Sequence, residues 1–377
     1  MTEREPDNRG KSRRIACVIH SLDGGGAERV MSGLVGSLQE RGHDVSLICL
    51  DDGTHDRYAV HPGVRRIYLD AMSDGHHPVG PIRRVRALRA SIQDAFPDVV
   101  LSFCDVTNLL VLLATRRLRI PVVVCERSDP RRQRLSMFRE WLRTRLYRRA
   151  TQVVAQTSEV SQYLSGRLRR EVNVIGSAIR NVSGGDRKIK ERGENPKVIV
   201  TVGRCEREKG WDRLIDAVAA LPNAMEWRLI LVGDGSLRSD LETRADEKNV
   251  KHRLEWVGWS QRVEYHLQRA DLFVLPSRYE GYPSALLEAM SLGLPVVAFD
   301  ASPGIRDCVE HGNNGLLVTN QPPEDIPALR DAITRVLTDG ELRQRLRKNA
   351  LRSARSHDWD EMVDHFERVL LAAAAVQ

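Results

Sequence analysis

The sequence holds no run of 18 apolar residues, so no segment of it could cross a bilayer as a helix. Its opening, MTEREPDNRGKSRR, is polar and charged without an apolar stretch, and is expected to be a flexible tail (1–13) rather than a signal peptide. Cysteine is scattered. Cys17, Cys49, Cys104, Cys125, Cys205 and Cys308 form no CxxC, and most stand in apolar strand-like runs where cysteine acts as a small hydrophobe. That argues against a disulfide scaffold and a structural metal site, and predicts a reduced, cytoplasmic protein. Acids are short in the first half only. Through Asn195 there are 34 basic and 23 acidic residues, a net of +11, while the remainder holds 24 against 28, a net of −4. An excess confined to one half predicts an anionic partner there: nucleic acid, anionic lipid or a phosphorylated substrate. No nucleic-acid-binding module or aromatic-interleaved basic patch supports the first of these.

What is present suits two domains. The chain has 377 residues, 41% of them hydrophobic and six of them Trp, enough for two cores of the usual size. RIACVIH (14–20) reads as a strand, followed by SLDGGGAE, a helix over 28–39 and a second strand in RGHDVSLICL. This is a βαβ unit with a glycine-rich turn, in which Gly24, Gly25 and Gly26 permit close backbone approach and the helix end attracts phosphate. A dinucleotide site, with Asp51 or Asp52 as the ribose-binding acid, is the alternative reading, although the spacing is not GxGxxG. His76 and His77 fall in a solvated loop with no third ligand nearby. FCDVTN places Asp105 and Asn108 at the carboxyl end of a third strand, and VCERSDP places Arg127 at the end of the next, the edge where α/β sheets bind ligands. NVSGGDRKIKERGENP reads as the linker, with the boundary at 186–196.

The organising stretch is Asp271–Asp300, DLFVLPSRYEGYPSALLEAMSLGLPVVAFD. It reads as a buried strand over 272–275, a loop, a helix over 284–291 with Pro283 at its first position, and another buried strand over 294–299. Backbone N–H groups of Gly281, Tyr282 and Ser284 and the positive dipole end of the helix that Pro283 opens suit a diphosphate. Glu288 lies on the Ser284 face, roughly 6 Å further along the axis, where ribose hydroxyls would fall. Glu280 faces whatever lies beyond the diphosphate. The layout fits a nucleotide sugar.

EGYPSALLEAMSLGLPVVA resembles the E-x7-E signature of family-4 retaining glycosyltransferases, and the resemblance extends over most of the chain. It implies the GT-B fold: two Rossmann-like α/β domains facing across a cleft. The acceptor-binding domain would span 14–185, rejoined by a helix at 356–377, and the donor-binding domain 197–355. It also implies that Glu280 holds sugar hydroxyls, that Arg204 and Lys209 of GRCEREKG neutralise the donor diphosphate in place of a metal or other cofactor, and that Gly25 and Gly26 face the donor phosphate. Gly258–Trp259 would lie by the nucleobase, and Asp307 stands where relatives carry Glu. FCDVTN with CERSDP is similar to a subgroup that extends polyprenyl-diphosphate-linked oligosaccharides, with Arg127 where a relative has His. The implied reaction is transfer from a nucleoside diphosphate sugar, UDP-linked, to a lipid-linked or exopolysaccharide glycan.

The acceptor class turns on RRQRLSMFREWLRTRLYRRA (131–150). Leu135, Phe138, Leu142 and Leu146 have helical spacing with Trp141 alongside, and nine Arg stand against two acids between Arg127 and Arg149. Guanidinium matches phosphate bidentately, so Arg131, Arg132 and Arg134 are expected to meet an acceptor diphosphate or the anionic inner-membrane surface. A soluble small-molecule acceptor and a dinucleotide-dependent oxidoreductase stand as alternatives. Asp358-Trp359-Asp360 imitates a metal-binding DxD but is read as a helix start.

Overall fold

A computed structural model describes residues 12–71, 80–131, 137–180 and 196–376. Residues 1–11 of the expected tail, His76, His77, Arg132, Arg134 and nearly all of the expected linker therefore lie outside the described residues. The chain forms two compact units, Met1–Ser177 with Asp360–Gln377, and Ala178–Trp359. The expected crossing points move, because Ile179 pairs in a parallel bridge with Asp358 and donates its N–H to the His357 carbonyl at 3.1 Å. Both crossing strands of chain thus belong to the second unit as far as Trp359.

In the first unit, strands β1 (Arg14–Ile19), β2 (Asp44–Cys49), β3 (Arg65–Tyr68), β4 (Val99–Phe103), β5 (Val122–Glu126), β6 (Gln152–Ala155) and β7 (Asn173–Val174) form one sheet in the order β3-β2-β1-β4-β5-β6-β7. Every pair is parallel. β4 and β5 are buried along their whole length, which explains their largely apolar sequences, VVLSF and VVVCE, interrupted by Ser102 and Glu126. Helix Trp359–Ala374 returns to this unit. Phe366 stacks 5.7 Å from Phe103, and Glu367 accepts from Arg41 at 2.5 Å and His43 Nε2 at 2.9 Å.

The second unit is built from β8 (Lys197–Val202), β9 (Trp227–Val232), β10 (Leu254–Gly258), β11 (Leu272–Leu275), β12 (Val296–Phe299) and β13 (Leu316–Val318), in the order β10-β9-β8-β11-β12-β13. These pairs are parallel too. Each sheet reverses its winding once, between β1 and β4 in the first and between β8 and β11 in the second. Crevices at the carboxyl ends of such strand pairs are where open α/β sheets take ligands. At that edge the second sheet is drawn tight: Gly233 has φ +140°, and a Cβ there would stand 1.7 Å from the Gly203 carbonyl oxygen. Only glycine lets the ends of β8 and β9 approach so closely.

Candidate active site

The loops leaving β8 and β11 carry Lys209 and Glu280. Lys209 ends a short 3₁₀ turn, Arg207–Lys209, and its stem lies over Gly203, so that a Cβ there would meet it at 3.3 Å. Its Nζ donates to Glu280 Oε1 at 2.7 Å. The same oxygen accepts from Ser277 Oγ at 2.7 Å. Glu280 is 7% exposed, so this carboxylate is withdrawn from water and held from two sides. The expected diphosphate cation and the expected sugar-binding carboxylate are therefore ion-paired. Arg204 differs: its side chain is 60% exposed and bridges Glu208 at 3.3 Å, a contact worth little in solvent.

Helix Ser284–Ser291 follows directly. Pro283 is its cap (φ −86°, ψ 81°) rather than its first helical residue, a correction of one position. The ψ of 81° lies outside the helical range and lets the chain turn from the Gly281 loop into the helix. Gly281 and Tyr282 are packed from behind by helix Pro303–Cys308, where a Cβ on Gly304 would stand 2.2 Å from the Gly281 carbonyl. Tyr282 Oη reaches His357 Nδ1 at 3.4 Å, and burial pushes its phenol far up. Ser284 and Glu288 are half-buried, whereas Asp307 is exposed. Gly258 has φ +74°, and the Arg238 guanidinium would lie 3.6 Å from a Cβ there.

In the first unit the glycine turn is built differently from expectation. Gly25 caps helix Gly26–Glu40 with its backbone, and the Glu28 carboxylate folds back so that a Cβ on Gly25 would be 2.3 Å from Oε2. His20 Nε2 meets Glu28 Oε1 at 3.0 Å. A carboxylate of the chain already faces the positive helix end, so a phosphate at Gly25 or Gly26 has to share or displace it. Asp51, crowded at the end of β2, is pushed up to about 6 by burial and by Asp56.

On the acceptor side, residues singled out from the sequence have partners within the chain. Asn108 is fully buried, donating to the Cys125 carbonyl and Tyr147 Oη, each at 3.0 Å, and so ties its helix to β5. Arg131 is not on the helix, which runs over Met137–Tyr147. Its guanidinium forks onto both oxygens of Asp129 at 2.9 Å and meets Glu159 at 3.2 Å, leaving little net charge for a membrane. The arginine excess is also partly structural. Arg143 is buried against Glu140, while Arg148 and Arg149 hydrogen-bond the carbonyls of Arg167 and Arg116. Arg127 keeps a place at the sheet edge, its guanidinium 4.9 Å above the Phe103 ring. Asp105 opens helix Asp105–Ala114 there. Beside it Glu126 is fully buried, taking bonds from Tyr147 Oη (2.9 Å) and Ser128 Oγ (2.7 Å); burial, then the charge of Asp105, pushes its carboxyl up.

Two family models match this chain: "Glycosyl transferase 4-like domain" over residues 25–176 and "Glycosyl transferases group 1" over 184–353. The chain belongs to the GT-B glycosyltransferases. The galactosaminyltransferase of Campylobacter jejuni named for GalNAc-α-(1→4)-GalNAc-α-(1→3)-diNAcBac-PP-undecaprenol is 24% identical over 342 residues, 89% of this chain and 92% of its own. The α-D-kanosaminyltransferase of Streptomyces kanamyceticus is 34% identical over 156 residues, 41% of this chain and only 39% of its own length. Among solved structures, Anabaena HepE in complex with UDP and glucose superposes with a TM-score of 0.78 at 21% identity, covering 95% of this chain and 99% of that one.

Four residues of this glycosyltransferase's site were not singled out from sequence: Ser277, Arg278, Arg213 and Gly304. Gly304 had a readable signal, a glycine just inside a proline-started helix. Arg278 and Arg213 had none, because Asp212 and Asp325 lie 66 and 112 positions away in the chain, whereas Ser277 meets Glu280 only three positions on.

Proposed function

We propose that this glycosyltransferase moves a sugar, with retention, from a UDP-linked donor to a lipid-diphosphate-linked glycan at the cytoplasmic face of the membrane. The Lys209–Glu280 pair at the winding reversal of the second sheet carries this reading. It sets a cation beside the amino end of helix Ser284–Ser291, where a diphosphate would sit, and a carboxylate beyond it for sugar hydroxyls. HepE's complex with UDP and the Campylobacter relative's undecaprenol-linked acceptor support the donor and acceptor classes. Leaving-group charge is met by Lys209, Arg204 and backbone N–H groups, with no metal required. Turnover is accordingly expected to survive excess EDTA unchanged. Loss of activity on chelation with recovery on Mg²⁺ or Mn²⁺ would remove the diphosphate role from these cations. Incubation with a panel of nucleotide sugars, scoring released nucleoside diphosphate, tests the reaction itself; release from none of them refutes it.

Membrane contact rests on apolar rather than on arginine side chains. Ile82, Val106, Met137 and Trp141 are 68%, 57%, 92% and 56% exposed. Ile82, Val106 and Met137 stand in the first turns of helices Pro81–Ala95, Asp105–Ala114 and Met137–Tyr147, with Trp141 one turn beyond Met137, and these helices pack side by side. Exposed Arg83 and Arg145 accompany them, Arg145 lying 5.9 Å from the Trp141 ring. Interfacial Trp with flanking Arg is the composition of a surface that enters lipid headgroups. Replacing Met137 and Trp141 with Ser should cut pelleting with anionic liposomes about tenfold, at roughly 0.8 kcal/mol per buried CH₂. Stability should change little, since Met137 is almost wholly in water and Trp141 more than half. Equal pelleting by the double variant would favour a soluble acceptor.

A further inference from the structure

The Lys209–Glu280 contact joins two loops that no strand ladder holds at this point, so something else must fix its length. Arg278, two residues before Glu280, reaches into the Lys209 loop with both its backbone and its side chain. Its N–H donates to the Glu208 carbonyl at 2.8 Å. Its guanidinium forks onto Asp212 at 2.7 and 2.6 Å, and Nη1 also donates to the Arg207 carbonyl at 3.0 Å. Arg207, Glu208 and Asp212 bracket Lys209 on either side. Behind them the backbones touch. Gly210 has φ +66°, and a Cβ there would be 2.0 Å from the Pro276 carbonyl oxygen. That oxygen accepts from Arg213 Nη2 at 2.8 Å. Asn320 closes the frame, donating to the Arg278 carbonyl at 3.4 Å and accepting from Arg213 at 2.6 Å.

We infer that Arg278 is a positioning residue: through Asp212 and the Arg207 carbonyl it holds Lys209 at hydrogen-bond distance from Glu280 before any substrate arrives. The inference rests on the roles proposed above for Lys209 and Glu280. Its chemistry is that of a planar fork. Two parallel N–H···O bonds to one carboxylate fix orientation as well as distance, which a lysine ammonium cannot do. The pair is also one-third exposed on both sides, so it adds little to folding, and its value lies in geometry. A misplacement of about 1 Å between reacting groups costs up to roughly 10²-fold in rate.

Arg278→Gln, Arg278→Lys and Asp212→Asn test this in the full chain. Arg278→Gln should lower kcat roughly tenfold while the donor KM and the affinity for UDP stay within about twofold. Arg278→Lys, with charge but no fork, should recover only part of the loss, and Asp212→Asn should match Arg278→Gln. A second readout needs no turnover: amide exchange should accelerate together over 206–210 and 276–280 in Arg278→Gln and nowhere else. Unchanged kcat, full recovery by lysine, or unchanged exchange in both loops would overturn the positioning role. If the wild type releases no nucleoside diphosphate from any donor, the proposed reaction fails on its own, and the exchange result still decides whether Arg278 ties the loops.

Discussion

Lys209→Met should lower kcat by about 10²–10³-fold, the usual consequence of removing one charge aimed at a developing anion. Lys209 is placed for that role by its Gly203 bed and its 2.7 Å contact with Glu280, and in the proposed reaction the departing diphosphate gains charge beside it. Glu280→Gln should be comparably slow, since an amide accepts the Lys209 and Ser277 bonds but loses the negative charge at the sugar. The two variants should differ in stability. Removing Lys209 strands a carboxylate that is 7% exposed with Ser277 as its remaining donor, whereas removing the Glu280 charge leaves an ammonium that is 22% exposed and can recover water. Lys209→Met is therefore expected to melt lower than Glu280→Gln, and the double variant to melt above Lys209→Met because the stranded charge is gone. In rate, the double variant should be little worse than either single one, as for residues that act as a unit. Turnover by Glu280→Gln within threefold of wild type would take the pair out of the chemistry.

Much of this architecture could be read from the chain alone, for a physical reason. A parallel strand buried on both faces is apolar along most of its length, so VVLSF, VVVCE and LFVL announce themselves, and the loops after them sit at the ligand edge. Glycine at a positive φ and carboxylates at fixed helical offsets are equally local signals. Charge is not. The arginine-rich run suggested a free cationic face, yet Arg131 is spent on Asp129 and Glu159, and Arg143 is in the core with Glu140. Guanidinium groups choose partners by three-dimensional proximity, which composition does not encode. Asn108 misled in the same way. At a strand's carboxyl end it looked like a ligand contact, but its amide nitrogen is engaged within the fold by Cys125 and Tyr147. Glu28 shows a third case, a first-turn acid that closes back on its own glycine turn.

Asp325→Ala should bring the largest loss of stability, and it separates a buried charge from the many exposed ones. Arg213 is 6% exposed. It donates to Asp325 at 3.1 Å, to Asn320 and to the Pro276 carbonyl, and lies 4.0 Å above the Phe299 ring. Burial pulls its pKa down while the Asp325 partnership pushes it up; burial wins, but the group stays cationic at neutral pH. Alanine at 325 removes the one carboxylate that, among the described residues, hydrogen-bonds this guanidinium, and leaves a charge with neutral acceptors in a dry site, a loss of about 3–5 kcal/mol. By contrast, Asp331→Ala breaks an exposed bridge to Arg330 and should cost no more than about 1 kcal/mol. For a unit of this size the first corresponds to a fall in Tm of roughly 10 °C and the second to a few degrees at most. The double replacement Arg213→Met with Asp325→Leu removes both charges and fills the space, so most of the lost stability should return. Activity should not return with it, because methionine cannot hold the Pro276 carbonyl, and with it the loop that carries Glu280. A wild-type Tm in Asp325→Ala would mean that Arg213 reaches water and is no buried ion. Full turnover in the double variant would mean that the Pro276 clamp has no part in placing the carboxylate.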